Sequence, residues 1–516
     1  MKREKLLCAL VVVALLSLAC GLPVTIQFPN QPTPKTPTLT PTVSMPVTEA
    51  PPISSTELPF DLSWEDQSIF QPGLASGYAL QDDRLEGASR YHLAFSLSDP
   101  PTRVRGLEQI RYTNQEDVVL DRVELALFPE LLGGGIIIET TRIDGESVQA
   151  TTRTGFLQLP LDPPLQPGES TILEIAFEIQ VPSNGEASYY GIFGYNGGIL
   201  SLAHAYPTIL VYNEEGWNDL APDLDGDPLF SDASFYVVSV DAPADLVLVA
   251  SGTEIQRDTR GDRQRVVYVN GPARDFYLTA SRDLQLQSSR VDGITLNSYT
   301  LASAESFSSI VLDAAEKAIS LFADLYGPYP YSEFDISPIR TSAGGVEYPG
   351  MTVVTSSTYN SYSTEFLELV VVHEIAHQWF YNLVGNDTQD QPWLDESLAE
   401  FLTWEYYRRY SGSEAAGIFE TQERGWWHSA ADPDQVIGLP VSAYSSADYG
   451  AIVYGKGPFF FDALRDRIGQ EPFDALMRAY VERYSWDVAS TAGFQALAEE
   501  TCGCSLADLF STWISP

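Results

Sequence analysis

Cysteine is scarce in this chain of 516 residues: Cys8, Cys20, Cys502 and Cys504 are all there is, and two of them lie in the first twenty positions. So few, so placed, exclude a small fold stapled by a disulfide framework. Basic residues are also few, with 29 Lys and Arg against 70 Asp and Glu, a formal net charge of −41. Nucleic acid is therefore excluded as a partner, since phosphate binding needs clustered cations. The apolar run from Leu6 to Leu18 is too short for a comfortable membrane span. What remains is 44% hydrophobic and 12% aromatic. That composition supports substantial cores, in two or three domains at roughly 150 residues each.

The apolar run follows Lys2, Arg3 and Lys5 and ends at small Ala19 and Cys20, the layout of a targeting signal over 1–20. Leu18-Ala19-Cys20-Gly21 resembles the lipobox of bacterial lipoproteins, whose Cys is lipidated; Ser17 stands where Leu is usual. The expectation is a lipid anchor at Cys20 and an extracytoplasmic, membrane-anchored protein, with simple secretion or an uncleaved anchor as alternatives. Residues 21–59 are rich in Pro and Thr, as in Pro32-Thr33-Pro34-Lys35-Thr36-Pro37. Such a stretch buries little apolar area and reads as an extended tether.

From about Tyr91 to Ala280, alternating runs such as Ile172-Leu173-Glu174-Ile175-Ala176-Phe177-Glu178 predict strands, separated by turns such as Asp144-Gly145. A β-sandwich or saddle-like domain is expected over 60–295. After about Thr300 the period becomes helical. Helices are predicted over 304–326, 365–384, 393–410, 449–469, 471–484, 491–500 and 505–514. The fold class is thus multidomain β + α, with a mostly helical domain over 296–516.

The segment Val372-His373-Glu374-Ile375-Ala376-His377 carries the chemistry. Histidines four apart on a helix project from one face, where both reach one metal ion. Zinc suits them: a catalytic site takes three protein ligands plus water, and Glu374 stands where it can take that water's proton. A third ligand is offered by Glu396 in Trp393-Leu394-Asp395-Glu396-Ser397, eighteen residues beyond His377. Glu400, one turn later, is either a partner for a ligand histidine or an exposed carboxylate. His92, His204 and His428 read as structural or surface residues. Cys502 and Cys504 read as a local turn, either as a tight disulfide or as two thiols.

His-Glu-x-x-His, eighteen residues and then Glu resembles the gluzincin signature of the aminopeptidase N family, which includes the leukotriene-hydrolase aminopeptidases. Gly344-Gly345-Val346-Glu347-Tyr348 resembles that family's Gly-x-Met-Glu-Asn segment, and Tyr454-Gly455-Lys456-Gly457 its Tyr-x-Lys-Gly element. Gly226-Asp227-Pro228 with Ser231-Asp232 is similar to part of its N-terminal domain. The resemblance implies a thermolysin-like catalytic domain, one zinc ion and peptide substrates cut from the N-terminus. It implies that Glu347 binds the substrate's free amine and Tyr454 steadies the oxyanion. Glycines 344 and 345 would let backbone lie close to a bound peptide. Val346 and Tyr348 depart from the family's Met and Asn, and Asp395 from a common Asn. The sequence ends near Trp513-Ile514, without the long C-terminal helical domain of larger relatives, so a more open cleft is expected. A zinc endopeptidase and a catalytically silent binding protein on the same fold are the alternative readings.

Overall fold

The computed structural model describes residues 47–53, 59–78, 80, 83–183, 189–223 and 225–515. The expected signal at 1–20, its Cys20 anchor and most of the 21–59 tether lie outside the described residues. The stretch 47–53 departs from the tether expectation. Thr48 pairs with Asp99 as an antiparallel bridge, Ala50 is buried, and Arg105 donates to the Ala50 carbonyl at 2.9 Å. Backbone and a small side chain suffice to dock an otherwise polar, Pro-flanked segment.

The N-terminal part is built on an eight-stranded sheet with two four-stranded sheets against it. The large sheet places Arg90–Leu97 between Ser234–Pro243, parallel to it, and Arg103–Thr113, antiparallel to it. Ser234–Pro243 and Arg263–Ala273 are buried on both faces. Phe235, Val237, Val267 and Val269 join the core of the helical part, while Tyr236, Val238, Val240, Val266 and Tyr268 join the β core. Successive side chains of a strand point to opposite faces, so one strand serves two cores. The two parts are thereby joined through apolar packing.

Among the described residues, the C-terminal part holds eight α-helices of seven residues or more: α1 Ser308–Tyr326, α2 Thr364–Ala376, α3 Glu396–Tyr406, α4 Gly412–Trp427, α5 Gly457–Ile468, α6 Gln470–Tyr484, α7 Thr491–Cys502 and α8 Ala507–Trp513. It also holds a five-stranded mixed sheet ordered Leu284–Val291, Ile294–Leu301, Glu333–Ile339, Met351–Thr355, Gly345–Tyr348. This sheet was not anticipated, and a division at 295/296 falls inside its second strand.

Two helices differ from expectation at functional points. The helix predicted over 365–384 stops at Ala376. Beyond it Tyr381 takes φ 136°, a conformation that no helix continues, and the chain turns back on itself. The helix predicted over 393–410 begins as a short 3-10 turn, Pro392–Leu394, and becomes α3 only at Glu396. Asp395 caps it by accepting from the Glu396 N–H at 2.7 Å. A π-helical turn over Tyr407–Ser411 then leads into α4, which has no counterpart among the predicted helices.

Candidate metal centre and active site

Helix α2 is buried along most of its length, from Phe366 to Ala376. His373, in its last turn, and His377, its C-terminal cap, meet Glu396 from the first turn of α3. Their Nε2 atoms are 3.2 Å apart, and each is 3.3 Å from Glu396 Oε2. Ligand bonds of about 2.0–2.1 Å at tetrahedral angles put neighbouring donor atoms about 3.3 Å apart. The triangle therefore has the edge lengths that a zinc-sized ion requires. The other imidazole nitrogens are engaged away from it: His373 Nδ1 lies 3.3 Å from Glu400 Oε1 and His377 Nδ1 3.0 Å from the Phe380 carbonyl. Such partners set the tautomer that leaves Nε2 free for a metal. Glu400 is buried, which decides against its reading as an exposed carboxylate.

In a second group, the donor atoms of Glu347, Glu374 and His377 lie within 4.8 Å of one another. Glu347 sits on the edge strand Gly345–Tyr348. Alternation turns Gly345 and Glu347 towards α2, while Val346 and Tyr348 pack on the β core. A Cβ added to Gly345 would stand 2.5 Å from Glu374 Oε1, so a residue without a side chain is what admits that carboxyl. Gly344 is buried and does not border the cleft; its carbonyl accepts from the Thr355 N–H at 2.8 Å. Gln378 ties the helix to this hairpin, donating to the Tyr348 carbonyl and accepting from the Gly350 N–H, both at 3.0 Å.

Tyr454 lies in a π-helical turn, Gly450–Lys456, with its ring 6.1 Å from that of His373 and 5.9 Å from that of Trp426. Such turns insert a residue into a helix and re-aim its side chain, often at functional sites. Ser397 donates from α3 to the Val453 carbonyl at 2.5 Å, and Gly457 leaves room for that serine.

The electrostatics follow from burying so many carboxylates together. Burial pushes Glu374 up to about 8 and raises Glu347, Asp227 and Asp395 as well. Burial would lower His377, but Glu347 and Glu396 beside it carry it up to about 10. Burial would raise Glu396, but His377 and His373 hold it below the usual carboxylate range. A divalent cation matches this excess of acid. The cleft is lined from both halves of the chain: Asp225, Gly226, Asp227 and Pro228 on one side, Leu369, Val370 and the metal triad on the other.

The remaining histidines are structural. His92 stacks on Trp64, His204 Nδ1 is 3.0 Å from Asp275, and His428 stacks on Trp427. Cys502 and Cys504 are joined by a disulfide. Sequence reasoning missed Gln378 and Arg274; the latter's buried guanidinium bonds the turn after α2. A lone Arg in a strand-rich stretch gives no local signal.

Residues 310–513 match the peptidase family M1 domain. Aminopeptidase M1-B of Oryza sativa subsp. japonica is 24% identical over 302 residues, covering 54% of this chain and 34% of that protein. A probable aminopeptidase 2 of Sulfurisphaera tokodaii is 22% identical over 439 residues, covering 80% and 51%. The chain thus spans a third to a half of the length of these curated relatives. Among solved structures, an M1 zinc metallopeptidase from Deinococcus radiodurans shares the fold at a TM-score of 0.62 with 17% identity, covering 83% of this chain and 92% of that one. The stretch from α1 to α8, with His373, His377 and Glu396 at its centre, is thus the part of the chain that is similar to the peptidase family M1 domain.

Proposed function

We propose that the protein is a zinc aminopeptidase that removes N-terminal residues from peptides, with one ion held by His373, His377 and Glu396. The observation that carries this reading is the triangle of donor atoms with edges of 3.2, 3.3 and 3.3 Å, each imidazole fixed from behind. Zinc in that set would polarise a scissile carbonyl and supply a water acidic enough to lose a proton near neutral pH. Glu374, buried beside the triad on the cleft wall, would take that proton as a carboxylate and return it to the leaving amine as the C–N bond breaks. Tyr454 would donate its phenolic proton to the developing oxyanion. Glu347 would pair with the substrate's ammonium, a charge that an internal peptide bond lacks. Its strand is the edge of the sheet, so its outer backbone can pair with an extended peptide.

Two further observations support the substrate class. Several relatives are named aminopeptidases, and a mutant of the Deinococcus radiodurans M1 metallopeptidase was solved with a Tyr-Ser-Ala substrate. We place the protein outside the cytoplasm, anchored through Cys20. The signal-like first twenty residues support this, as does the Cys502–Cys504 disulfide, which suits an oxidising compartment.

The decisive experiment compares hydrolysis of an aminoacyl reporter or short peptide with that of its N-acetylated form, with and without a chelator. Hydrolysis of the free amine alone, lost with the metal, is the expected result. Equal rates on both substrates would make the enzyme an endopeptidase. Bound zinc with no turnover of a broad peptide panel would make it a silent binding protein.

A further inference from the structure

We infer that Arg274 is a positioning residue for the metal centre, holding the turn that orients His377. The inference rests on the metal reading above and adds a residue from the other half of the chain.

Arg274 follows the strand Arg263–Ala273 of the β part and is only 2% exposed. Its Nε donates to the Tyr381 carbonyl at 2.7 Å and to the Asn382 carbonyl at 3.1 Å. Nη1 donates to the Ser231 carbonyl at 2.9 Å, and Nη2 to the Asp487 carbonyl at 2.7 Å. A guanidinium presents five N–H groups in a rigid planar fork and no acceptor, which suits it to gather carbonyls from separate segments. Here it gathers them from the β part, from the turn beyond α2 and from the loop between α6 and α7.

The middle segment is the one that matters to the metal. His377 Nδ1 lies 3.0 Å from the Phe380 carbonyl, and the Asn382 N–H donates to the His377 carbonyl at 3.0 Å. Between those two contacts stands Tyr381 at φ 136°. A bulky residue in that region is strained and persists only where its surroundings over-determine it. Arg274 grips the strained residue's own carbonyl and that of the residue after it. A second tie runs beside it: the Asn382 amide donates to Tyr331 Oη at 2.9 Å, and that hydroxyl donates to the Pro272 carbonyl at 2.6 Å. Gly385 completes the cradle, since a Cβ there would lie 2.2 Å from the guanidinium carbon.

An interdomain staple alone would explain the burial and the Ser231 and Asp487 bonds. It would not predict any change in the metal's environment. Lysine keeps the charge but not the fork, so Arg274→Lys should loosen the turn and let the His377 ring rotate. Zinc affinity is measured on the full chain by chelator competition, and the visible spectrum on the cobalt-substituted protein.

Arg274→Lys is expected to weaken zinc binding ten- to hundred-fold, the usual cost of losing an outer partner of a ligand, and to shift the cobalt bands. It is also expected to lower kcat with KM little changed. Ser231→Ala removes a 2.7 Å bond to the Arg274 carbonyl but spares the guanidinium's bonds. It should lower the Tm and leave zinc affinity and spectrum as in the parent. Gly385→Ala, which displaces the guanidinium without replacing it, should reproduce the Arg274→Lys result. Parental zinc affinity and parental cobalt bands in either of the two variants overturn the inference, whatever the Tm. A parent chain that binds no zinc refutes the metal reading itself, which is a different failure.

Discussion

Glu374 shares α2 with His373 and lies three residues before His377, which caps that helix, yet its carboxyl is directed at Gly345 on the neighbouring strand. That separation of ligands from base is the residue-scale core of the proposed chemistry. Glu374→Gln keeps the shape and removes the basicity. It is expected to retain zinc by metal analysis and to lose at least 10²–10⁴-fold in kcat. Gly345→Ala tests the same pairing from the other side: its Cβ would displace the carboxyl, and a shift of about 1 Å at such a site can cost about 10²-fold in rate. Both variants should keep the parental zinc content. A residue far from the site gives a pH signature. Burial, then Arg90, hold His92 down to about 4, and its ring stacks on Trp64 at 3.9 Å. The unfolded chain takes up this proton near pH 6.5 and the folded one only near 4, so this residue's contribution to stability is complete above about 6.5 and falls as pH drops through that window. Linkage sets the loss at up to about 3 kcal/mol. Urea unfolding at pH 7, 5.5 and 4.5 should show that slope, and His92→Phe, which can still stack, should flatten it.

At the scale of elements, the π-helical turn Gly450–Lys456 explains how Tyr454 comes to lie beside His373 in an otherwise helical run. Tyr454→Phe keeps the ring packing and removes the hydroxyl. A fall of about 10²–10³-fold in kcat with little change in KM is expected, the cost of one lost oxyanion donor. The triad itself was legible because two ligands sit one helical turn apart and the third carries a recognisable neighbourhood. The short strands Glu333–Ile339 and Met351–Thr355 were not, because they are buried on both faces and show no alternation. Helix α4 escaped because Gly412, Gly417 and Gly425 dilute its helical signal and its outer face is polar. The early end of α2 escaped because the turn beyond it is imposed by Arg274, more than a hundred positions away.

At the scale of the whole molecule, the domain order was readable from the change of period. The joint was not, since residues such as Phe235 and Tyr236 serve different cores from adjacent positions. That joint places Asp225 and Asp227 of the β part across the cleft from Glu347 and the triad. Thr388 and Gln389 hold the loop there, donating to the Asp227 carbonyl at 3.1 and 2.7 Å. The lining residues include no Lys or Arg, and the chain as a whole carries −41. Outside the metal set, a substrate whose first side chain is acidic therefore meets carboxyl groups and no cationic side chain, in a partly desolvated cleft where screening is weak. For reporter substrates with N-terminal Leu and N-terminal Glu, kcat/KM should differ at least tenfold in favour of Leu, about 1.4 kcal/mol. Added salt should narrow the gap by screening the solvent-exposed part of the repulsion. Asp225→Asn should narrow it too, by removing an acidic side chain from the cleft wall and leaving the zinc set intact. Equal kcat/KM for the two substrates at low salt would show that the acidic wall does not select against acidic N-termini.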